Sequence, residues 1–139
     1  MKVTFHHINI CSRDVPELDR FYGDILKQGD VPEMRALPTL DTNALSGPVA
    51  FRGDGQVQLH LAETDLDLAL RHDQAINPLE RGHIAFRTDD IEAFKAHLEA
   101  QGIRYADYGT TFTEFWHQIF FLDPAGTIVE VHQVLSEPD

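Results

Sequence analysis

A histidine-led strand followed by an aspartate-led helix occurs twice in this chain, and that duplication limits what it can fold into. The clearer copy, Gly82 to Gly102, reads GHIAFRTDDIEAFKAHLEAQG. Ile84 and Phe86 keep a period of two, as a strand requires. From Asp89-Asp90 the period changes, and Ile91, Phe94 and Leu98 recur at helical spacing. Asp89 or Asp90 suits a helix N-cap, and Gly102 suits the residue beyond its C-terminus. The other copy, HHINICSRDVPELDRFYGDIL, begins at His6. His7 stands seven residues before Asp14, as His83 stands seven before Asp90, and the copies are 76 positions apart. Val15, Leu18, Phe21, Tyr22 and Ile25 form the apolar stripe of the first helix. Self-similarity on this scale means two copies of one supersecondary unit.

The rest of the chain completes each unit. Residues 3–10 read as strand and 15–27 as helix, with Asp14 and Glu17 at capping-box spacing. Residues 31–37 read as a strand that Pro32 confines to an edge or a strand start, and 37–46 as a loop. A hairpin follows, Val49–Phe51 with Val57–Leu61, turned by Gly53-Asp54-Gly55. Residues 64–81 are an acidic linker with a short helix around Leu66–Leu70. The second unit is strand 82–87, helix 91–101, strand 103–108, loop 109–114, and the hairpin Trp116–Leu122 with Thr127–Val134. Each unit is therefore strand, helix, then three strands. The expected organisation is one α+β domain over 1–139, with module one at 1–63, the linker at 64–81 and module two at 82–135. At 139 residues the halves are too short to stand alone and should share one core.

Charge and composition exclude some partners. A formal charge of −12 with scattered Lys and Arg argues against nucleic acid. No apolar run approaches the roughly 20 residues of a membrane span. No signal-peptide pattern opens the chain, and its single cysteine, Cys11, excludes an internal disulfide. These features point to a cytoplasmic, reducing compartment.

Eight histidines in an acidic chain need sorting. His72 in the linker and His97 among polar helix positions are expected in solvent. His6 and His7 point to opposite faces of a regular strand, so only one faces a shared interior, and the repeat selects His7. Near the module ends, Gln58-Leu59-His60-Leu61 and Val129-Glu130-Val131 each place a ligand-type side chain between apolar neighbours. Their distance from the preceding turn differs by one residue. Four corresponding strands thus offer His7, His60, His83 and Glu130, donors that suit one divalent transition metal: zinc, nickel, cobalt, manganese or Fe(II). A carboxylate amid apolar residues is costly without a partner, and a metal accounts for all four together. His132 shares the strand face of Glu130 and is placed to orient it. Tyr108, Phe112, Trp116 and His117 fall where a substrate pocket would be lined. Cys11 reads as a small buried hydrophobe.

These motifs, HHINI with RDVPELDRFYGDIL, QVQLHL, GHIAFRTDDIEAF and FFLDPAGTIVEVHQ, resemble the vicinal oxygen chelate superfamily of glyoxalase, bleomycin-resistance and extradiol dioxygenase proteins. The resemblance implies paired βαβββ modules wrapping a cup-shaped mixed sheet around a metal, in a homodimer that binds a small molecule. It also implies ligands at His7, His60, His83 and Glu130. The position matching His60 is often Glu or Gln in glyoxalases and epimerases and is not a ligand in extradiol enzymes, so histidine here is a departure. With four ligands, a Lewis-acid metal would hold vicinal substrate oxygens and stabilise an enediolate, with Glu130 or a metal-bound water as base. With only His7, His83 and Glu130, the two-His, one-carboxylate face suits Fe(II) and oxygen, and His60 becomes an acid or base beside it. The resemblance also admits drug-sequestering proteins that carry no metal.

Overall fold

The computed structural model describes residues 1–35 and 47–136. Chain order gives β1 (Val3–Ser12), α1 (Val15–Arg20), a π-helical turn (Phe21–Ile25), α2 (Pro32–Arg35), β2 (Val49–Gly53), β3 (Gln58–Glu63) and α3 (Leu68–Arg71). Then come β4 (Gly82–Thr88), α4 (Ile91–Ala100), β5 (Ala106–Gly109), β6 (Trp116–Leu122) and β7 (Ile128–Val134). The seven strands form one mixed sheet, ordered β2-β3-β1-β4-β7-β6-β5.

The repeat is written into this order. β1 and β4, the leading strands of the two modules, pair antiparallel at the centre, and each pairs on its outer side with the last strand of its own module in parallel. Asp14 and Asp90 open α1 and α4 in the same way. Asp14 Oδ1 accepts from the Glu17 amide at 3.1 Å, and Asp90 Oδ1 accepts from the Ala93 amide at 3.0 Å. Asp89 instead accepts from the Lys2 amide.

The sheet separates two environments. α4 buries Ile91 and Leu98 against Ile119 and Val131 on one face, at about 1.5–3 kcal/mol for each large side chain removed from water. On the other face lie Leu68, Tyr108, Phe112 and Phe120, a smaller cluster of Val31, Met34 and Trp116, and most of the buried polar groups. The first helix covers less than its stripe suggests: Val15 is buried, while Phe21 and Ile25 stand exposed. Among the described residues no helix is long and apolar enough to cross a membrane.

Module one departs from the expected strand at 31–37. Pro32, lacking an amide hydrogen, begins α2, and the Val31 carbonyl accepts from Met34 and Arg35. The strand shrinks to one bridge, Gly29 to Gly53. Burial of Val31 and Met34 against Trp116 outweighs the extended preference of this stretch. Residues 36–37 of that expected strand and the expected loop at 37–46 lie outside the described residues.

Gly82 starts β4 at φ +126°, and a Cβ there would collide with the backbone carbonyl of Asn9 on β1. Gly82→Ala is expected to lower stability by about 2–3 kcal/mol through strain and the forced separation of the central strands. Urea unfolding of the two proteins measures it; an unchanged midpoint would mean that the strands move apart at little cost.

Candidate metal centre

Four strands deliver His7 (β1), His60 (β3), His83 (β4) and Glu130 (β7) to one face, and all four side chains are buried. Strand register makes His60 and Glu130 equivalent. His60 pairs with Asn9 and Glu130 with Ala85, and Asn9 and Ala85 are themselves 76 positions apart. The one-residue difference in sequence is absorbed in the turns.

Three of the side chains converge. His83 Nε2 stands 3.1 Å and His7 Nε2 3.9 Å from Glu130 Oε1. One ligand atom from each of His7, His83 and Glu130 lies within 4.8 Å of the others. His83 Nδ1–H donates to the Pro78 carbonyl at 2.9 Å, so in the neutral ring Nε2 carries only a lone pair. That lone pair faces a carboxylate oxygen, acceptor against acceptor, in a buried site. A cation satisfies both, and two imidazole nitrogens with one carboxylate are donors that a divalent transition ion takes. Gln118 Nε2 donates to the same Glu130 oxygen at 3.3 Å, while its own Oε1 is buried without a partner among the described residues. Turning the amide round would set its carbonyl against the carboxylate.

His60 sits differently. Its ring stacks on His7 with centroids 3.6 Å apart, and its Nε2–H donates to Gln58 Oε1 at 2.8 Å. It is not one of the three residues whose ligand atoms converge. Burial holds His7 neutral, pushing its pKa well down against the pull of Glu130, and lowers that of His60 to about 3. Burial would raise Glu130, but its carboxyl lies well below its ordinary range, with the His132 Nδ1–H bond among the causes.

Glu130 Oε2 accepts from His132 Nδ1–H at 2.7 Å, and His132 Nε2 accepts from Arg87 Nε at 2.9 Å. The His132 ring stacks on Trp116, 4.2 Å between centroids, and the Arg87 guanidinium lies 5.2 Å from the centre of the same indole.

His6 corrects the expectation of opposite faces. Register shifts between Phe5 and His7, a bulge that turns His6 inward as well. Its Nδ1 lies 2.8 Å from His7 Nδ1, and its ring meets those of His60, His132 and Trp116. His6, His7 and His132 form a second group with ligand atoms within 4.8 Å, but Arg87 already donates to His132 and its charge opposes a cation there.

Phe112 and Trp116, with Phe51, Leu79 and Phe120, line a cavity of about 70 Å3 that also reaches His7, His60, His83, Gln118 and Glu130. Tyr108 packs against Phe112 and Phe120 but does not line that cavity, and its hydroxyl donates to the Ile76 carbonyl at 2.6 Å. His117, the strand neighbour of Trp116, is not in the lining either and pairs with Asp107 at 2.7 Å. His72, expected in solvent, is half-buried beside Tyr108 and Phe112. His97 is exposed. The half-buried Cys11 thiol, pushed up by burial to about 12, donates to Asn9 Oδ1.

Sequence reasoning missed Gln58, Arg87, Gln118 and Glu33. The first three had a signal: Gln58 lies two residues from His60 on one strand, Arg87 four from His83, and Gln118 two from Trp116, so period two shares their faces. Glu33 has none, because the sequence around it reads as strand and the structure makes it helix.

The sequence model of the Glyoxalase/Bleomycin resistance protein/Dioxygenase superfamily matches residues 4–131. A hypothetical protein from Bacillus halodurans C-125 has a similar structure, with 17% identity, 100% of this chain and 99% of that one covered, and a TM-score of 0.69. Methylmalonyl-CoA epimerase from Mycobacterium tuberculosis matches with 18% identity, coverage of 94% and 87%, and a TM-score of 0.66. A variant of the Streptomyces coelicolor methylmalonyl-CoA epimerase, in complex with 2-nitronate-propionyl-CoA, matches with 19% identity, coverage of 99% and 99%, and a TM-score of 0.63. At these identities the likeness is one of fold. A search of curated proteins returns no match.

Proposed function

This chain belongs to the glyoxalase/bleomycin resistance protein/dioxygenase superfamily, and from that premise we propose that it is a metal-dependent lyase or isomerase acting on a small molecule with vicinal oxygens. The observation that carries this reading is the buried convergence of His7 Nε2, His83 Nε2 and Glu130 Oε1, three lone-pair atoms from three strands. When bound there, a divalent ion supplies Lewis acidity at a substrate oxygen. The side chains do the rest. Glu130, held as a carboxylate by His132 and Gln118, serves as ligand, with a role as base where one of its oxygens is released. His60, neutral and stacked on His7, is the other group able to take up a proton next to a carbonyl. The small apolar cavity suits a compact substrate. We include in the proposal a homodimer, tested by light scattering.

A second reading, a non-haem Fe(II) oxygenase on the same residues, draws support from the position of His60 outside the converging group. One set of measurements separates the two. Elemental analysis of protein purified without chelator or affinity-tag metal should find about one transition ion per chain, and iron would favour the oxygenase. His60→Ala should lower metal affinity if His60 is a ligand, and chiefly activity if it is not. A protein with no metal, and none on titration, would discard both readings in favour of sequestration.

A further inference from the structure

We propose that Glu33 is a positioning residue: its single carboxylate ends three hydrogen-bond chains and so determines which ring nitrogen of His7, His60 and His132 carries the proton. Glu33 lies on the short helix α2 and touches none of the three imidazoles whose protons it sets.

The first chain runs through the bulged residue. Glu33 Oε2 lies 3.1 Å from His6 Nε2, and a carboxylate accepts, so His6 carries its proton on Nε2. A neutral His6 ring with its proton there offers a lone pair at Nδ1, where His7 Nδ1 lies at 2.8 Å and donates. His7 is left with a bare Nε2, the atom that faces Glu130. The second chain runs along β3. Gln58 Nε2 donates to Glu33 Oε2 at 2.7 Å, which turns its carbonyl toward His60 and places the His60 proton on Nε2 at 2.8 Å. The third crosses from module two. Arg87 Nη2 donates to Glu33 Oε1 at 2.6 Å, and Arg87 Nε donates into His132 Nε2 at 2.9 Å. His132 therefore holds its proton on Nδ1, aimed at Glu130 Oε2.

Three donors from β1, β3 and β4 thus meet on one carboxylate. They leave His7 Nε2 and Glu130 Oε1 as acceptors, with His83 Nε2 placed alike by Pro78. The Glu33 carboxyl, held by His6 against burial and further by Arg87 and Gln58, stays ionised below the usual carboxylate range. An amide in its place cannot serve all three chains, because its NH2 would face either Arg87 or the His6 and Gln58 donors. Facing His6, it would draw a lone pair to His6 Nε2 and a proton to Nδ1. His7 would then be driven to the wrong tautomer, protonated on Nε2.

The test is long-range 1H–15N correlation NMR of the histidine rings in the full-length, metal-free protein, with a zinc titration as a second readout. Wild type should show His7 and His132 protonated on Nδ1 and His60 on Nε2. Glu33→Gln should keep the fold by circular dichroism, show a population of His7 protonated on Nε2, and bind zinc about 10–100-fold more weakly, as loss of a ligand-orienting partner does. Wild-type rings in any other tautomers would overturn the proposal even where the variant fails to fold. So would a folded Glu33→Gln, and a folded Glu33→Ala, whose ring signals match wild type. Only the zinc arm rests on the metal reading above. A wild type that binds no zinc overturns that reading, and the tautomers still decide this one.

Discussion

Glu130→Ala should weaken zinc binding by more than the roughly 10–100-fold that follows from removing a partner behind a ligand, because it removes the one carboxylate among the converging atoms. The loss extends to stability. His132 Nδ1–H and Gln118 Nε2–H would lose their acceptor in a buried site, at about 1–3 kcal/mol for each donor left unpaired. Calorimetric titration of the folded variant with zinc, beside thermal melts of both metal-free proteins, reads the two effects separately. A variant that still binds zinc within about tenfold of wild type would take Glu130 out of the ligand set. Glu130→Gln should keep more of the stability than of the metal affinity, since the amide offers an acceptor without a charge.

Acid should unfold the metal-free protein earlier than its carboxylates alone require. Burial keeps His7 and His60 neutral, with His60 lowered to about 3 from an ordinary value of 6.5. In the unfolded chain both would take up a proton near pH 6.5. Between that pH and about 3 the unfolded state binds more protons, so stability is complete above pH 6.5 and drains as pH falls. Each histidine contributes about 1.4 kcal/mol per pH unit, about 3 kcal/mol per unit for the pair. Glu130 acts in the same direction, but only below its ordinary 4.5. Denaturant unfolding at pH 7, 6 and 5 measures the slope, and His60→Leu should lower it by about 1.4 kcal/mol per pH unit. A flat profile over that range would mean that these rings are not held neutral.

Both predictions concern side chains that a reading of the sequence had already brought together. His7 and His83 share a phase of the repeat, and period two on β7 sets Glu130 and His132 on one face. Asp14 and Asp90 could be read as caps because capping depends on the next three amides. Such features are local: a few residues specify the backbone period, and the duplication shows which positions correspond. The distinction between Asp89 and Asp90 was less accessible, because Asp89 is taken by the Lys2 amide from the other end of the chain.

The sequence by itself therefore brought out the repeat, the Asp14 and Asp90 caps and the shared phase of His7 and His83. Tertiary structure alone decided three further matters. It turned His6 inward, because the bulge arises in the pairing of β1 with β4 and nothing within HHINI demands it. It drew His60 into a stack on His7 with Gln58 on its Nε2, instead of into the converging group. It also brought Glu33 within reach of His6, Gln58 and Arg87, residues as much as 54 positions away. Periodicity reports the direction of a side chain from its own strand. Hydrogen-bond chains between strands depend on register, bulges and packed helices, which only the folded sheet supplies.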